Sequence, residues 1–186
     1  MSSLHRRAFI GAFGSVALLS ACANRTGNSA AAQINARVDA VLEFLYANHP
    51  ETTELRDKAQ GILIMPVVTK LGLLGAGGAY GRGALRVGDA TVDYYSAVSA
   101  TLGPQFGAQQ YSHALFFMTE EALHTFRSSP GLAAGSDVEF VLSREAENLS
   151  AETTTSLNPV IAVIFGKAGL SAGATLKGVK YTRIIL

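Results

Sequence analysis

The amino-acid sequence predicts an α+β domain in which a strongly curved, glycine-rich antiparallel sheet, open or closed into a barrel, packs against helices. Small residues at every second position from Gly75 to Gly83, within the glycine-rich segment Gly72–Gly83, are the first indication. The same spacing returns later in the chain, at Gly103/Gly107 and Gly169/Gly173. An apolar stripe of helical period in Gln33–Asn48 is the second indication. A sheet built from several strands with small side chains on one face can curve strongly, because neighbours approach that face closely.

The glycine-rich segment does not have the spacing of a phosphate-binding loop. Gly75 and Gly77 are followed by Tyr80, where a dinucleotide-binding fingerprint requires a third glycine. Gly166–Lys167 is followed by Ala168, where a Walker loop requires serine or threonine. The period of two instead predicts a strand with one bare face. A helix, a tightly curved sheet or a ligand can cover such a face, and we favour a helix, because packing alone explains the glycines.

The elements before this strand are predicted from caps and periodicity. The helix Gln33–Asn48 has few lysines and arginines on its polar face, so we expect it to pack on the sheet rather than lie on a membrane surface. Thr53 is the predicted N-cap of a short helix that ends at Gln60. The apolar run Ile62–Val68 predicts a strand with a bulge or an edge position at Pro66.

The elements after this strand follow from turn signals and alternation. Gly88–Asp89 predicts a hairpin turn, and Thr119 predicts the N-cap of a helix that reaches Phe126. Alternating or apolar runs predict further strands in Val92–Ser99, Gln105–Met118, Asp137–Ser143 and Val160–Phe165. A final strand or pair of strands is predicted in Gly169–Ile185.

The first residues predict a lipoprotein leader. A basic start at His5–Arg7 precedes an apolar run, Ala8–Leu19, which is too short to span a bilayer. Leu19–Cys22 then matches a lipobox, and Cys22 is the only cysteine of the chain. Cys22 is therefore the predicted lipid-attachment residue, with a plain secretory leader as the alternative. The predicted division is a leader at 1–21, a flexible tether at 22–32 and a single domain at 33–186.

Export and location follow from the same residues. Arg6–Arg7 is compatible with either a twin-arginine or a general secretory route, which the sequence leaves open. Ala23 follows the cysteine, and by resemblance to enterobacterial sorting rules this favours the outer membrane. We expect a lipid-anchored protein of the bacterial envelope that faces the periplasm.

Composition excludes several classes of function. The formal net charge is only +1, so a general nucleic-acid binder is not expected. His113 and the other histidines outside the leader have no partner at metal-ligand spacing, so neither a metal nor another cofactor is expected. An enzyme acting on lipids would need a polar cluster such as Gln105, Tyr111 and His113 to line a pocket. Nothing in the sequence forms a catalytic constellation, and we expect no enzymatic activity.

Three segments resemble the SYLF-domain family of Ysc84-like lipid- and actin-binding domains: Ala59–Leu85, Tyr94–Leu123 and Val160–Ile184. They include Gly-Ala-Tyr-Gly-Arg-Gly-Ala-Leu, Ala-Leu-Phe-Phe-Met-Thr-Glu-Glu-Ala-Leu and Gly-Val-Lys-Tyr-Thr-Arg-Ile. The resemblance implies a lipid-binding, non-enzymatic domain. We do not carry over actin binding, because a bacterial envelope protein meets no cytoskeletal actin.

Basic residues near the glycine segments are the candidate contacts to the headgroups of an anionic phospholipid membrane: Lys70, Arg82, Lys167, Lys177 and Lys180. The alternative function is a scaffold for envelope proteins that contacts lipid only through its anchor.

Overall fold

The computed structural model describes residues 29–73, 76–102, 107–129, 132–133, 139–142, 158–169, 176 and 178–186. These residues contain the helices α1 (Ser29–Asn48), α2 (Thr52–Lys58) and α3 (Glu120–Ser128). They also contain the strands β1 (Gly61–Leu73), β2 (Ala76–Val87), β3 (Ala90–Leu102), β4 (Gly107–Phe117), β5 (Leu132–Ala133), β6 (Glu139–Leu142), β7 (Val160–Gly169) and β8 (Lys180–Ile184).

All the described strands join one sheet, in the order β5-β8-β3-β2-β1-β4-β7-β6. Every pair is antiparallel except β6 and β7, which run parallel. The predicted α+β class with an antiparallel sheet is confirmed, and β6 and β7 form the one parallel pair among the described strands. Among the described strands the sheet has two edges, β5 and β6, and does not close into a barrel.

The predicted strong curvature is confirmed by a contact across the sheet. The Tyr181 hydroxyl in β8 lies 2.8 Å from Nε2 of His113 in β4. Three strands separate β8 from β4 in the sheet, so a flat sheet would place the two strands about 19 Å apart. The sheet therefore coils until side chains of distant strands meet inside it.

A bulge at Pro66 interrupts both ladders of β1. The register shifts between Ile64 and Val67 against β2, and between Met65 and Val68 against β4. Proline has no N–H to donate, and the buried Ser112 hydroxyl donates to its carbonyl oxygen at 2.7 Å. The predicted bulge is confirmed, although β1 is an interior strand of the sheet and not an edge.

The β1 chain itself covers the bare face of the glycine strand. A Cβ atom on Gly83 would overlap the backbone oxygen of Ile64, and one on Gly81 would lie 2.7 Å from Cγ2 of Val68. The preference for a helix on this face is therefore wrong, and the tightly curved sheet is the correct alternative. The physical reason is the bulge, which brings β1 backbone against β2.

Helices cover both faces of the sheet. We call the concave face that carries Leu63, Leu115 and Phe117 the inner face; α3 packs there through Leu123 and Phe126. The opposite face, which we call the outer face, carries Ala84, Ala114 and Phe116. Helices α1 and α2 pack on it through four buried side chains, Ile34, Val38, Leu45 and Leu55. The prediction that the first helix packs on the sheet is thus confirmed.

Local signals at turns and helix ends are mostly confirmed. Gly88 has φ +58° in the hairpin between β2 and β3, a conformation that glycine adopts without strain. The Thr119 hydroxyl accepts from the Ala122 N–H at 3.2 Å and caps α3. Two helix starts differ from the prediction, and α2 ends at Lys58 instead of Gln60. Helix α1 begins at Ser29, inside the predicted tether, and α2 begins at Thr52, with the Thr53 hydroxyl donating to the Pro50 carbonyl instead of capping.

Several predictions lie outside the described residues: the leader, Cys22, the tether up to residue 28, Gln105 and Lys177. Among the described helices, none combines the length and the apolar character that crossing a membrane requires.

The close approach of β1 and β2 predicts a graded response to added methyl groups. We expect Gly83→Ala to lower the free energy of unfolding by about 3 kcal/mol. The new Cβ would overlap the backbone oxygen of Ile64, which cannot move away as a flexible side chain could. Gly78→Ala should cost less, since its nearest contact is 3.0 Å, to the Ser99 carbonyl oxygen. Urea unfolding measures both, and equal losses would contradict this account of the curvature.

Candidate functional site

The predicted headgroup residues do not converge on one site. Residues directly opposite each other on antiparallel strands share a face. Lys70 is opposite Ala79 and Gln109, which are both buried on the inner face. Arg82 and Lys180 lie on the outer face.

The register places Arg82 and Lys180 beside exposed apolar side chains. Arg82 is opposite Val67, and Lys180 is opposite Val98, which is opposite Tyr80. The backbone of Lys167 lies in β7, and Lys177 lies outside the described residues.

Beyond the area that α1 covers, the outer face of β1–β3 exposes four large side chains. Leu71 is 58% exposed, Tyr80 49%, Val98 48% and Val67 38%. We call these four residues the exposed patch. Clustered apolar side chains on a solvent-facing sheet surface mark a contact site more often than scattered single ones do.

The cations at the border of the exposed patch differ from the other arginines in their partners. Arg86 pairs with Asp39 at 2.6 Å, and Arg127 and Arg183 both pair with Asp93. Within the described residues, no carboxylate lies within ion-pair distance of Arg82 or Lys180. The positive charge at this border is therefore not neutralised by the part of the protein that the structure describes.

A groove of about 250 Å³ lies between α1 and the outer face, next to the exposed patch. Its helix wall includes Gln33 and Arg37, and its sheet wall includes Thr69, Tyr80 and Arg82. Arg82 Nε donates to the Tyr80 hydroxyl at 2.6 Å. The lining contains two guanidinium groups and no carboxylate, so the groove favours an anion.

A second hollow, of about 500 Å³, lies beside α3 and is lined by Glu120, Arg127 and Arg183 among others. Here Asp93 accepts from Arg127 at 3.0 Å and from Arg183 at 3.4 Å. The charges of this hollow are compensated within the protein, in contrast to those of the groove.

Polar side chains of the inner face form a buried cluster. His113 is fully buried, its ring centroid lies 5.9 Å from that of Tyr111, and its Nε2 contacts Tyr181. Burial lowers the pKa of His113 to about 3, so the ring is neutral at pH 7. Burial, together with Tyr111, raises the pKa of Tyr181 well above its ordinary value.

The hypothesis of an enzyme acting on lipids named Gln105, Tyr111 and His113, and the structure describes the last two of them. Tyr111 and His113 lie together as that hypothesis requires, but they are packed in the core, with exposures of 2% and 0%. Among the described residues, no three potential metal ligands gather at one place. The cluster therefore has a structural role: it joins β4 to β8 inside the curved sheet.

Sequence reasoning missed two residues that matter here. Arg37 belongs to the groove, but in the sequence it is one polar residue on the solvated side of a helix. Asn35 donates to the Tyr94 hydroxyl at 2.9 Å and accepts from Thr91 at 3.1 Å, which fixes α1 on the sheet. No local pattern indicates these contacts, because each partner is more than fifty residues away.

Comparison with known families bears on this geometry. Residues 98–183 match the model of the Ysc84 family, described as a Las17-binding protein actin regulator. The match supports, for this segment, the family resemblance seen in the sequence. The matched segment includes Lys180 of the border and the buried pair His113 and Tyr181, whereas Arg82 precedes it. A search of curated proteins found no match to the chain.

The buried imidazole predicts a stability loss in acid. The folded protein holds His113 with a pKa of about 3, whereas an unfolded histidine has a pKa of about 6.5. The unfolded state therefore binds more protons between these values. The contribution is fully present above pH 6.5 and declines as the pH falls towards 3, by at most about 1.4 kcal/mol per pH unit.

His113→Gln removes this titration and should flatten the acid side of the stability profile measured by urea unfolding. The matched control is His124→Gln, because His124 is an exposed histidine of α3. Parallel profiles for wild type and His113→Gln would contradict the prediction.

Proposed function

We propose that this chain is a lipid-anchored protein of a bacterial cell envelope, held at the outer membrane on its periplasmic side. Its Ysc84-family domain binds phospholipid through the outer face of β1–β3 and catalyses no reaction. The observation that carries this proposal is the exposed patch bordered by Arg82 and Lys180. The family match supports a binding domain, and the lipobox at Leu19–Cys22 supports the anchor.

The chemistry of the exposed patch suits the boundary between headgroups and acyl chains. Leu71, Val67 and Val98 gain free energy on leaving water, at roughly 25 cal/mol per Å². A tyrosine such as Tyr80 is favoured at this depth because its ring is apolar and its hydroxyl is polar. Cations near an anionic surface add about 1 kcal/mol each.

These terms sum to a few kcal/mol, because the side chains of the exposed patch are only half exposed and only two cations border it. Contact of this size is reversible. An acylated Cys22 would supply permanent attachment, at about 0.8 kcal/mol for each buried methylene group. We therefore assign the anchor to residence at the membrane and the exposed patch to recognition of its surface.

Local placement of charge matters more here than net charge. Without its leader, the chain has 13 basic and 14 acidic side chains. A net charge of −1 does not attract an anionic membrane. The unpaired cations beside the exposed patch would make one surface attractive to such a membrane, and this surface would then face the lipid.

A scaffold that docks a protein partner is the second candidate. The description of the family names protein binding, and an exposed apolar patch also suits a protein interface. Binding to protein-free vesicles separates the two functions, because a lipid-binding domain would bind such vesicles without its anchor and a protein scaffold would not.

The first test is vesicle co-sedimentation of the mature chain, residues 22–186 with Cys22→Ser. We expect binding to vesicles that contain phosphatidylglycerol, and a loss of about fivefold to tenfold in Val98→Ser, because a half-exposed valine contributes roughly 1 kcal/mol on insertion. Val92→Ser is the matched control, since Val92 is 38% exposed on the same strand but does not belong to the exposed patch. No binding to either anionic or zwitterionic vesicles would overturn the lipid-binding function.

The second test concerns the anchor. Cells that express the full chain should incorporate labelled palmitate into it, and Cys22→Ser should abolish the label and leave the leader uncleaved. Labelling that persists in Cys22→Ser would contradict the predicted attachment, since the chain has no other cysteine.

A further inference from the structure

We propose that the groove between α1 and the outer sheet face binds the phosphate of one phospholipid headgroup. This inference rests on the proposed function and specifies its ligand chemistry. The groove adjoins the exposed patch but adds a second wall to it, because one side of the groove is formed by α1 and the other by the sheet. One wall carries Arg37 and the other carries Arg82.

Charge is the first reason. Two guanidinium groups line a groove of about 250 Å³ whose lining contains no carboxylate. Such an arrangement attracts an anion, and guanidinium groups bind phosphate oxygens through paired hydrogen bonds. Within the described residues, Arg37 and Arg82 have no ion-pair partner, whereas Arg56, Arg86, Arg127 and Arg183 do.

The second reason is the arrangement of donors around Arg82. The Tyr80 hydroxyl accepts from Nε of Arg82 at 2.6 Å, which occupies the inner nitrogen and leaves the two terminal amino groups for a ligand. Thr69 accepts from Gln110 at 3.4 Å, so its own hydroxyl hydrogen remains to be donated. Gln33 adds an exposed amide on the helix wall.

Size and apolar walls indicate a headgroup rather than a whole lipid. The groove is smaller than the roughly 300–1,000 Å³ of pockets that enclose drug-sized ligands. Its apolar wall includes Ile34 and Pro66, and it shares Val67 and Tyr80 with the exposed patch. A phosphate held between the arginines would therefore leave the acyl chains over the exposed patch.

The predicted anchor places the groove near the membrane. The groove lies against the first turns of α1, with Ala30 in its lining. Seven residues lead from Cys22 to Ser29, the start of α1, and a chain of this length spans at most about 25 Å. The bound headgroup would thus belong to the same leaflet as the anchor.

The test uses the mature chain with Cys22→Ser and phosphatidylcholine vesicles with and without phosphatidylglycerol. We expect Arg82→Gln and Arg37→Gln each to weaken binding to the anionic vesicles about tenfold, and Arg82→Lys to weaken it less, since lysine keeps the charge but not the paired donors. Arg56→Gln is the matched control, because it removes the same group from α2. Raised salt should reduce the difference between wild type and the groove variants.

Soluble probes distinguish a headgroup from a free phosphate. We expect glycerol 3-phosphate and inorganic phosphate to compete only weakly in a calorimetric titration, because they lack the acyl chains. Tight binding of either probe without vesicle binding would overturn the assignment to lipid. If both groove variants bind vesicles as wild type does while Val98→Ser is impaired, the groove is wrong and the proposed function stands.

Discussion

The fold depends on one close approach, that of the β2 glycines to the β1 backbone beside Pro66. Gly81 and Gly83 have no side chain, so the β1 bulge can press against them. This contact lets the sheet bend sharply enough for β8 to meet β4 across its inside. A methyl group at Gly83 would require backbone to move, and the bend and the enclosed core would change with it.

The bend gives the two faces of the sheet different chemistry. The inner face becomes a closed core, in which the Tyr181 hydroxyl and Nε2 of His113 contact each other rather than water. The outer face cannot be closed by the sheet, and helix α1 covers only part of it. What remains uncovered combines apolar side chains with Arg82 and Lys180, and this combination is the basis of the proposed membrane contact.

Much of the fold could be predicted from local sequence. The stripe of the first helix, the bulge at Pro66, the turn at Gly88 and the cap at Thr119 all depend on neighbouring residues, and each was correctly predicted. The element that packs on the glycine face of β2 could not be predicted in this way. It depends on how two ladders shift their register around a bulge, which is a property of three strands together.

The candidate site shows the same limit. Alternation along each strand indicates which residues share a face, but strand pairing decides which face is enclosed. Lys70 therefore lies on the inner face, whereas Arg82 lies on the outer face. Arg37 joined the groove only because Asn35 holds α1 against Tyr94, a contact over 59 residues of sequence.

The contact between His113 and Tyr181 also constrains when the domain can fold. The two residues are 68 positions apart, and β8 pairs with β3, which is formed much earlier in the chain. Contacts between distant parts of a sequence form slowly, because a long loop must close first. Until residue 181 has been synthesised, β3 has β2 on one side but not β8 on the other, and the inner face is not enclosed. The nascent chain therefore stays without its final core during most of its synthesis, and a chaperone can bind it unfolded in that interval.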